Sequence, residues 1–548
     1  MITQQFIVTA TPPTPNGDFH VGHIAGPYLG ADIFARYQRM RGHNVVYVCS
    51  ADRNQSYVVT TAERDNVEPD QLAASCYTLM VETLKAAQVS MDIFSKVDAV
   101  HKAHVTNFFR AIDNRGHVKR KVKRLPYSKT DQRYLFESFV SGFCPVCWSA
   151  TAGAICEACG HPNDAETIEL MAASDSPGVI EWREREVAVL ELEAFRDQFE
   201  AFYQRKRGVW RPHITEFARE MLANPLPDYP LTYVSDWGIP VPFTGLKGQV
   251  FNVWAEMLPG LMNSTAEAFE VRGGTRRDGL ALWQRDSGTR LVQFLGYDNS
   301  FFFAFVHLAL TWAHDDVVAP ETILTNEFLE LDNFKFSTSK KHLLWARDLL
   351  RDRGVNAARF YLALANPEHQ KMNFTLSAMS RLVETRLTRP FAAALTGAAS
   401  AIESLQCSIS DWRVDSSLAA RLGTVLDRFA HFHEIETFSP QRIAEHLSQL
   451  LTRIDAGSRR VIDGAMEREE RLAEVCYLAG LLRIVLPVVT QPLLPDFSNW
   501  VASQLASPDP ALWPIDLIGL SYKIQPQVLR RMAANGCSAP QENLRIVS

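Results

Sequence analysis

His20 and His23 stand three residues apart in the run Pro13-Thr14-Pro15-Asn16-Gly17-Asp18-Phe19-His20-Val21-Gly22-His23. On a helix that spacing puts both imidazoles on one face, where both can donate hydrogen bonds to one polyanion. The apolar run Phe6-Ile7-Val8 lies just upstream, so the pattern reads as a short strand, a Pro/Asn/Gly turn and the start of a helix. A helix N-terminus offers free N–H groups and the positive end of its dipole to phosphate. Gly22, with no Cβ, admits a flat base against the backbone. These residue types suit ATP: Asn16, Gly17 and Gly22 at the nucleotide, His20 and His23 at the triphosphate.

Four other groups carry chemistry. Cys144-Pro145-Val146-Cys147 and Cys156-Glu157-Ala158-Cys159 are Cys-x-x-Cys knuckles with eight residues between them. Four thiolates so spaced close around a tetrahedral zinc ion, and a site with four protein ligands is structural. Asp52 follows the apolar strand Val45–Cys49. The carboxyl ends of parallel strands face the ligand crevice, so Asp52 is placed either to pair with an ammonium group or to cap a helix. Lys335-Phe336-Ser337-Thr338-Ser339-Lys340-Lys341 is a Lys/Ser-rich loop able to clamp phosphates and stabilise a leaving pyrophosphate. The basic run Lys119–Arg124 is either an RNA contact or a solvated face.

The 548 residues suffice for three or four domains, and 47% hydrophobic with 22% charged residues is ordinary for a globular protein. No apolar run of roughly 20 residues is evident, and Met1–Gln5 lacks a basic, apolar leader, so no membrane and a cytoplasmic location are expected. A net charge of −6 excludes a globally basic nucleic-acid binder. Four of the nine cysteines cluster, which favours metal over disulfides. Strand and helix alternate to about Asn114, with Pro69–Ala87 as a helix. Between Arg115 and Pro230 the rhythm breaks, and Glu181–Arg207 reads as a long helical stretch. Tyr233–Leu331 returns to α/β, with Leu291–Gly296 a buried strand and Phe301–Ala313 an apolar helix. From Leu343 to at least Leu505 helical periodicity dominates. The only His-x-His, His431-Phe432-His433, lies in that helical region and not in a strand-rich barrel, so no cupin is read here.

Together these residues resemble a class I aminoacyl-tRNA synthetase, and within that class the methionyl-tRNA synthetases. His20-Val21-Gly22-His23 is similar to the family's His-Ile-Gly-His, and Lys335–Ser339 stands where the family has Lys-Met-Ser-Lys-Ser. Ala31–His43, the knuckle region Phe143–Gly160, Val253-Trp254 and Gly296-Tyr297-Asp298 match further landmarks. The resemblance implies an α/β fold: a Rossmann-type parallel-sheet catalytic domain (1–115 and 233–342) split by a zinc-bearing connective insertion (116–232). A helical, anticodon-binding-like domain with a tail follows (343–548). It implies an ATP-dependent ligase using ATP, Mg2+ and Zn2+, which forms an aminoacyl adenylate and then transfers the aminoacyl group. His20, His23 and Lys335 would be catalytic. Asn16, Gly17, Gly22, Gly296, Asp298, Ser337, Thr338 and Lys340 would bind the nucleotide. Pro12, Thr14, Asp52, Trp254, Asn299 and Phe303 would line the amino-acid pocket, and Cys144, Cys147, Cys156 and Cys159 would hold zinc.

The departures bear on the substrate. Where the family has Leu and Tyr against the methionine side chain, this chain has Pro12 and Thr14; a nearby Tyr is Leu261, and an Ile and a His correspond to Asn299 and Phe303. Arg53 and Asn299 add polarity. One methylene in an apolar pocket is worth about 1–3 kcal/mol, so changes of this size predict a different amino acid, polar or small. The second lysine of the family loop is Thr338, with Lys340 or Lys341 as its substitute, and the anticodon-stacking Trp falls near Arg459. The expectation is a monomeric, biosynthetic paralogue. It would take a non-methionine amino acid and an acceptor that is either tRNA or a small amine or N-hydroxyamine, as in hydrazine formation with a partner enzyme. The alternatives are a genuine methionine–tRNA ligase and an inactive, zinc-stabilised scaffold or RNA binder.

Overall fold

The computed structural model describes residues 3–163, 166–173, 180–336, 342–405, 412–464, 466–513 and 516–536. The chain divides into two compact units: Met1–Phe19, Val45–Leu84 and Met91–Phe328 in one, His20–Asn44, Lys85–Ser90 and Leu329–Ser548 in the other.

The first unit is built on a five-stranded sheet in the order Thr322–Asn326, Thr289–Gly296, Gln5–Ala10, Asn44–Ser50, Ile93–Ser95. Ile7 lies opposite Leu291, Val292 opposite Thr322 and Val48 opposite Ile93, each pair in parallel strands. Parallel strands are covered on both faces, so their sequences are apolar throughout rather than alternating. Phe6, Ile7, Val8, Val46, Val48, Val292 and Leu295 are all buried. The Thr11 N–H donates to Phe294 O at 3.0 Å, so the ladder continues past Ala10 into the proline turn. The helix Val253–Val271 and the apolar segment Phe302–His314 supply much of the core around the sheet.

The insertion departs from the expected helix at Glu181–Arg207. Ile180–Glu191 is a strand, antiparallel to Lys119–Ser128, and the helix is confined to Arg196–Lys206. Glu-Trp-Arg-Glu-Arg-Glu is acceptable helix sequence, but pairing across the ladder and burial of Val187–Leu190 override that propensity. The same pairing accounts for the basic run. Lys121 is bonded to Glu191 and Asp228 at 2.7 Å each, Lys123 to Glu166 at 3.1 Å, and the Arg120 guanidinium lies over Phe243.

The second unit opens with Val21–His23, passes through a wide π turn, Ile24–Tyr28, and continues as the helix Leu29–Met40. Gly26 has non-helical torsions (φ −80°, ψ −116°) and Pro27 has no N–H to donate, so the ladder must open there. A three-stranded sheet of Leu329–Leu331 between Phe334–Lys335 and Met372–Phe374 follows, and then helices to Asn535. Arg459 lies exposed on the long helix Pro440–Ile462. One helical run, Arg468–Thr490, is long and apolar enough to cross a membrane, against the reading of the sequence; 78% of its most apolar window is buried, which suits a bundle core helix. His433 is buried with its Nδ1 on Phe429 O at 2.8 Å and its ring stacked on Tyr37, a packing role. The buried guanidinium of Arg359 bonds Asp32 at 2.6 Å, Leu493 O at 2.7 Å and Ala87 O at 2.9 Å, tying the Leu29–Met40 helix to the helical region. Burial works to raise the Asp32 carboxyl, but Arg359, Arg36 and hydrogen bonds from Ser90 overcome it and hold the group below its ordinary value.

Candidate active site

In the second unit, His20 and His23 are stacked at 3.7 Å, and Phe336 stacks on the other face of His20 at 4.8 Å. The helix start is pinned from outside: Val21 N–H donates to Leu344 O at 3.0 Å, and His20 bridges to Trp345. The His20 N–H donates to His23 Nδ1 at 3.2 Å. Because Nδ1 accepts, a neutral His23 carries its proton on Nε2. Loss of solvent pushes the His23 imidazole down to about 4, with Lys335 adding to the effect. His20 is held well below its ordinary value by the same loss of solvent, then by His23 and Lys335. Both rings are therefore neutral donors at pH 7, and the positive charge of this set rests on Lys335. That lysine is exposed on the strand Phe334–Lys335, opposite Glu330. A Cβ at Gly22 would lie 3.1 Å from the His20 ring and 3.3 Å from Phe336, so glycine lets these rings close over the backbone. Ser337, Thr338 and Lys340 lie outside the described residues.

In the first unit, Asp52 follows the strand Asn44–Ser50, its N–H held by Pro13 O at 2.8 Å. That bond joins the carboxyl-end loops of two sheet strands. Pro12 is buried and Thr14 half-buried in the same turn; Asn16 donates to Thr14 O and, through its amide, to Thr61. Gly17 also lies in this turn. Asp52 is 5% exposed, with Gln55 facing its carboxyl, and Trp254 and Tyr233 face the buried carboxyl of Glu137. Burial pushes the Asp52 carboxyl well above its ordinary value; Gln55 draws it back while Glu256 and Glu137 push it further. Glu256 is itself satisfied, bonded by Asn54 at 2.8 and 2.9 Å and by His101 at 3.0 Å. The Arg53 guanidinium lies over Trp237 and is ion-paired with Asp70.

Glu137, Gln55, Ser56 and Glu256 were not singled out in the sequence. Glu137 sits just before the first knuckle with a positive φ of 44°, and burial pushes its carboxyl up to about 7. Its Oε2 takes the Ser56 hydroxyl at 2.8 Å.

At the other strand end, Gly296 leads into Asp298, whose Oδ1 accepts from Asn299 at 2.9 Å. A Cβ at Gly296 would lie 2.6 Å from that same oxygen, so a larger residue there would displace the Asp298 carboxylate. Trp254 stacks at 3.9 Å on Phe302, and Phe303 lies against His307, 4.4 Å away. The segment Phe302–His307 is a π helix, which rotates each side chain relative to α spacing and brings Phe302 to the indole. His307 Nε2 reaches Trp254 O at 2.7 Å. Leu261 is fully buried in the core of this unit.

The four knuckle sulfurs lie within 4.8 Å of one another, with Cys144–Cys159 at 3.8 Å and Cys147–Cys156 at 3.6 Å. Zn–S bonds of about 2.3 Å in a tetrahedron require sulfurs about 3.8 Å apart, so these thiols fit zinc. The knuckle also supports the site: a Cβ at Gly160 would meet Tyr297 at 3.2 Å, and Gly153 donates to Glu137 O at 2.9 Å.

A family model described as tRNA synthetases class I (M) matches residues 6–396. The chain belongs to the class I tRNA synthetase family. Among its relatives, the methionine–tRNA ligase of Rubrobacter xylanophilus is 32% identical over 381 residues, 67% of this chain and 66% of that protein. That of Thermomicrobium roseum is 31% identical over 371 residues, 66% of this chain and 62% of that protein. The matched stretch thus spans a little under two thirds of these relatives. The solved structure of Mycobacterium tuberculosis methionyl-tRNA synthetase bound by methionyl-adenylate shares the fold. Its TM-score is 0.72 at 18% identity, and the match covers 95% of this chain and 99% of that one.

Proposed function

We propose that this chain is an ATP-dependent ligase that activates a polar or small amino acid as its adenylate and passes the aminoacyl group to a small-molecule acceptor. The observation that carries the amino-acid assignment is the set of buried polar groups gathered in the first unit: the Asp52 carboxyl with Gln55 facing it, and the Glu137 carboxyl faced by Trp254 and Tyr233. A buried polar atom left unpaired costs about 1–3 kcal/mol. The α-ammonium, common to every amino acid, pairs with Asp52, so discrimination falls to the side chain: a thioether offers these groups no N–H or O–H donor, whereas a polar side chain does.

In the first step the amino-acid carboxylate attacks the α-phosphorus of ATP, the bond to the β-phosphate oxygen breaks, and pyrophosphate leaves. His20 and His23 donate from neutral rings to the phosphate oxygens, and Lys335 carries the charge that meets the leaving group. Asp52 receives the α-ammonium, which offsets the burial that raises its carboxyl. Mg2+ bound with ATP would screen the same phosphates that His20, His23 and Lys335 would contact. In the second step an acceptor nitrogen or oxygen attacks the acyl carbon, AMP leaves, and the nucleophile's proton is released. No side chain needs to become covalently attached; orientation and electrostatics supply the rate. Zinc is structural in this reading.

A second reading, a methionine–tRNA ligase, is favoured by the names of the relatives and by the presence of Asp52 and Trp254. Exchange of labelled pyrophosphate into ATP decides between them. The proposal expects exchange dependent on a polar or small amino acid and abolished by His23→Ala; exchange with methionine as the best substrate supports the second reading. No exchange with any amino acid leaves the zinc-stabilised scaffold.

A further inference from the structure

In the first unit, Thr322–Asn326 is an edge strand, so one side of its backbone has no neighbouring strand. The segment before the helix Pro212–Leu222 supplies donors there. The Lys206 ammonium and the Trp210 indole N–H donate to Glu321 O at 2.7 and 3.0 Å, and the Arg211 guanidinium donates to Thr325 O. The helix is thus moored along the strand, and its second residue, His213, lies flat on Tyr297. The two rings are 3.5 Å apart with 15° between their planes. His213 Nδ1 is bonded to Glu327, the residue that follows the edge strand.

This imidazole is held twice, by its edge and by its face. The Glu327 side chain is 11% exposed, and among the described residues His213 alone bonds its carboxylate. A carboxylate so enclosed is costly without a partner, which keeps the pair together. Tyr297 is 5% exposed and meets Phe217 edge-on at 6.1 Å. Gly160 backs the edge of the same ring but has no side chain to hold it, so His213 and Phe217 fix it. Tyr297 opens the tight turn Tyr297–Asn299, in which the Asn299 amide donates to Asp298 Oδ1 at 2.9 Å. The direction of the Asp298 carboxylate therefore depends on the residue that His213 pins.

We propose that His213 and Glu327 are positioning residues for the nucleotide: joined over Tyr297, they hold the Tyr297–Asn299 turn so that the Asp298 carboxylate meets ATP. The inference rests on the reading of this chain as an ATP-dependent ligase with Asp298 at the nucleotide. Neither residue takes part in the bond changes. Ligands of parallel sheets bind beyond the carboxyl ends of the strands. The clamp joins two such ends, that of Thr289–Gly296 through Tyr297 and that of Thr322–Asn326 through Glu327. It also ties both to the insertion, which supplies His213.

The test is equilibrium binding to the full-length chain, by calorimetry, of two probes: MgATP, and magnesium tripolyphosphate, which carries the phosphates without the nucleoside. His213→Ala and Glu327→Ala are each expected to raise the MgATP Kd about tenfold, the usual worth of a hydrogen bond to a charged group. The tripolyphosphate Kd should move less than about twofold. The double variant should bind MgATP no more weakly than either single variant, because each alone removes the clamp. Glu327→Gln keeps an oxygen for the imidazole N–H and should recover most of the affinity; it also covers the case in which an alanine variant fails to fold. Equal weakening of both probes, additive losses or no recovery in Glu327→Gln overturns the inference in favour of a general loosening of the fold. Asp298→Ala tests the reading beneath. If it raises the MgATP Kd while the His213 and Glu327 variants do not, the clamp is overturned and that reading stands. If it leaves the Kd unchanged, or the wild-type chain does not bind MgATP, the inference falls together with the reading.

Discussion

The Ser56 hydroxyl donates to Glu137 Oε2 at 2.8 Å across 81 residues of chain. Ser56 begins the helix that follows Asp52, and Glu137 begins the turn that leads to the first cysteine knuckle. The bond therefore joins the amino-acid loop of the sheet to the insertion, and it is reinforced by Ser138, whose hydroxyl donates to Ser56 Oγ at 2.9 Å. The cysteine knuckle thereby helps hold Glu137, whose carboxyl acts on that of Asp52.

Metal removal tests that linkage. One zinc per chain is expected, lost in Cys147→Ser. Because Gly153 holds Glu137 and Gly160 packs on Tyr297, stripping the metal should raise the amino-acid KM about tenfold or more while changing the ATP KM much less. Equal loss of both would indicate general unfolding. Metal content by mass spectrometry, followed by exchange kinetics, checks it.

Gly22→Ala places a methyl group 3.1 Å from the His20 ring and 3.3 Å from Phe336. The His20 imidazole or the Phe336 ring must shift by a few tenths of an ångström; a full misplacement of about 1 Å costs about 100-fold, so a loss of about tenfold is expected. Exchange should fall by that amount with the melting temperature nearly unchanged.

Arg359→Leu leaves the buried Asp32 carboxylate without its 2.6 Å partner. Breaking a buried pair from one side costs about 3–5 kcal/mol. Urea denaturation should show that loss, and Arg359→Lys should not restore it, since one ammonium cannot reach the several carbonyls that the guanidinium bonds.

Stability should fall as pH drops from 6.5 towards 4. His307 and His433 are both pushed down to about 4, each mainly by burial and partly restored by a backbone carbonyl, Trp254 O and Phe429 O respectively. Between pH 6.5 and 4 the unfolded chain binds protons that the native chain does not, so unfolding is favoured progressively; above 6.5 the contribution is complete. Each contributes roughly 3 kcal/mol. Urea melts at pH 7.5 and 5 should show the drop, and His433→Phe should make it smaller.

The local motifs were legible because each is contiguous. The His20–His23 spacing and the paired Cys-x-x-Cys knuckles need only short-range geometry, and the apolar runs at Phe6–Val8, Val45–Cys49 and Leu291–Gly296 each announce a doubly covered strand. What was not legible depends on distant pairing. Glu137 is an ordinary acidic residue until Ser56 is placed against it. Glu181–Arg207 reads as helix until Lys119–Ser128 lies alongside its first part, which is the strand Ile180–Glu191. The stacking of Phe302 on Trp254 leaves no mark in the residue spacing, because it depends on the π turn of Phe302–His307. Arg359 sits in a helical pattern that gives no sign of its burial against Asp32.

The most direct measurement is amino-acid-dependent exchange of labelled pyrophosphate into ATP across all the common amino acids, wild type beside His23→Ala. The expected result is exchange with a polar or small amino acid, at most weak exchange with methionine, and loss in the variant. Methionine as the best substrate, or exchange unaffected by His23→Ala, would contradict it.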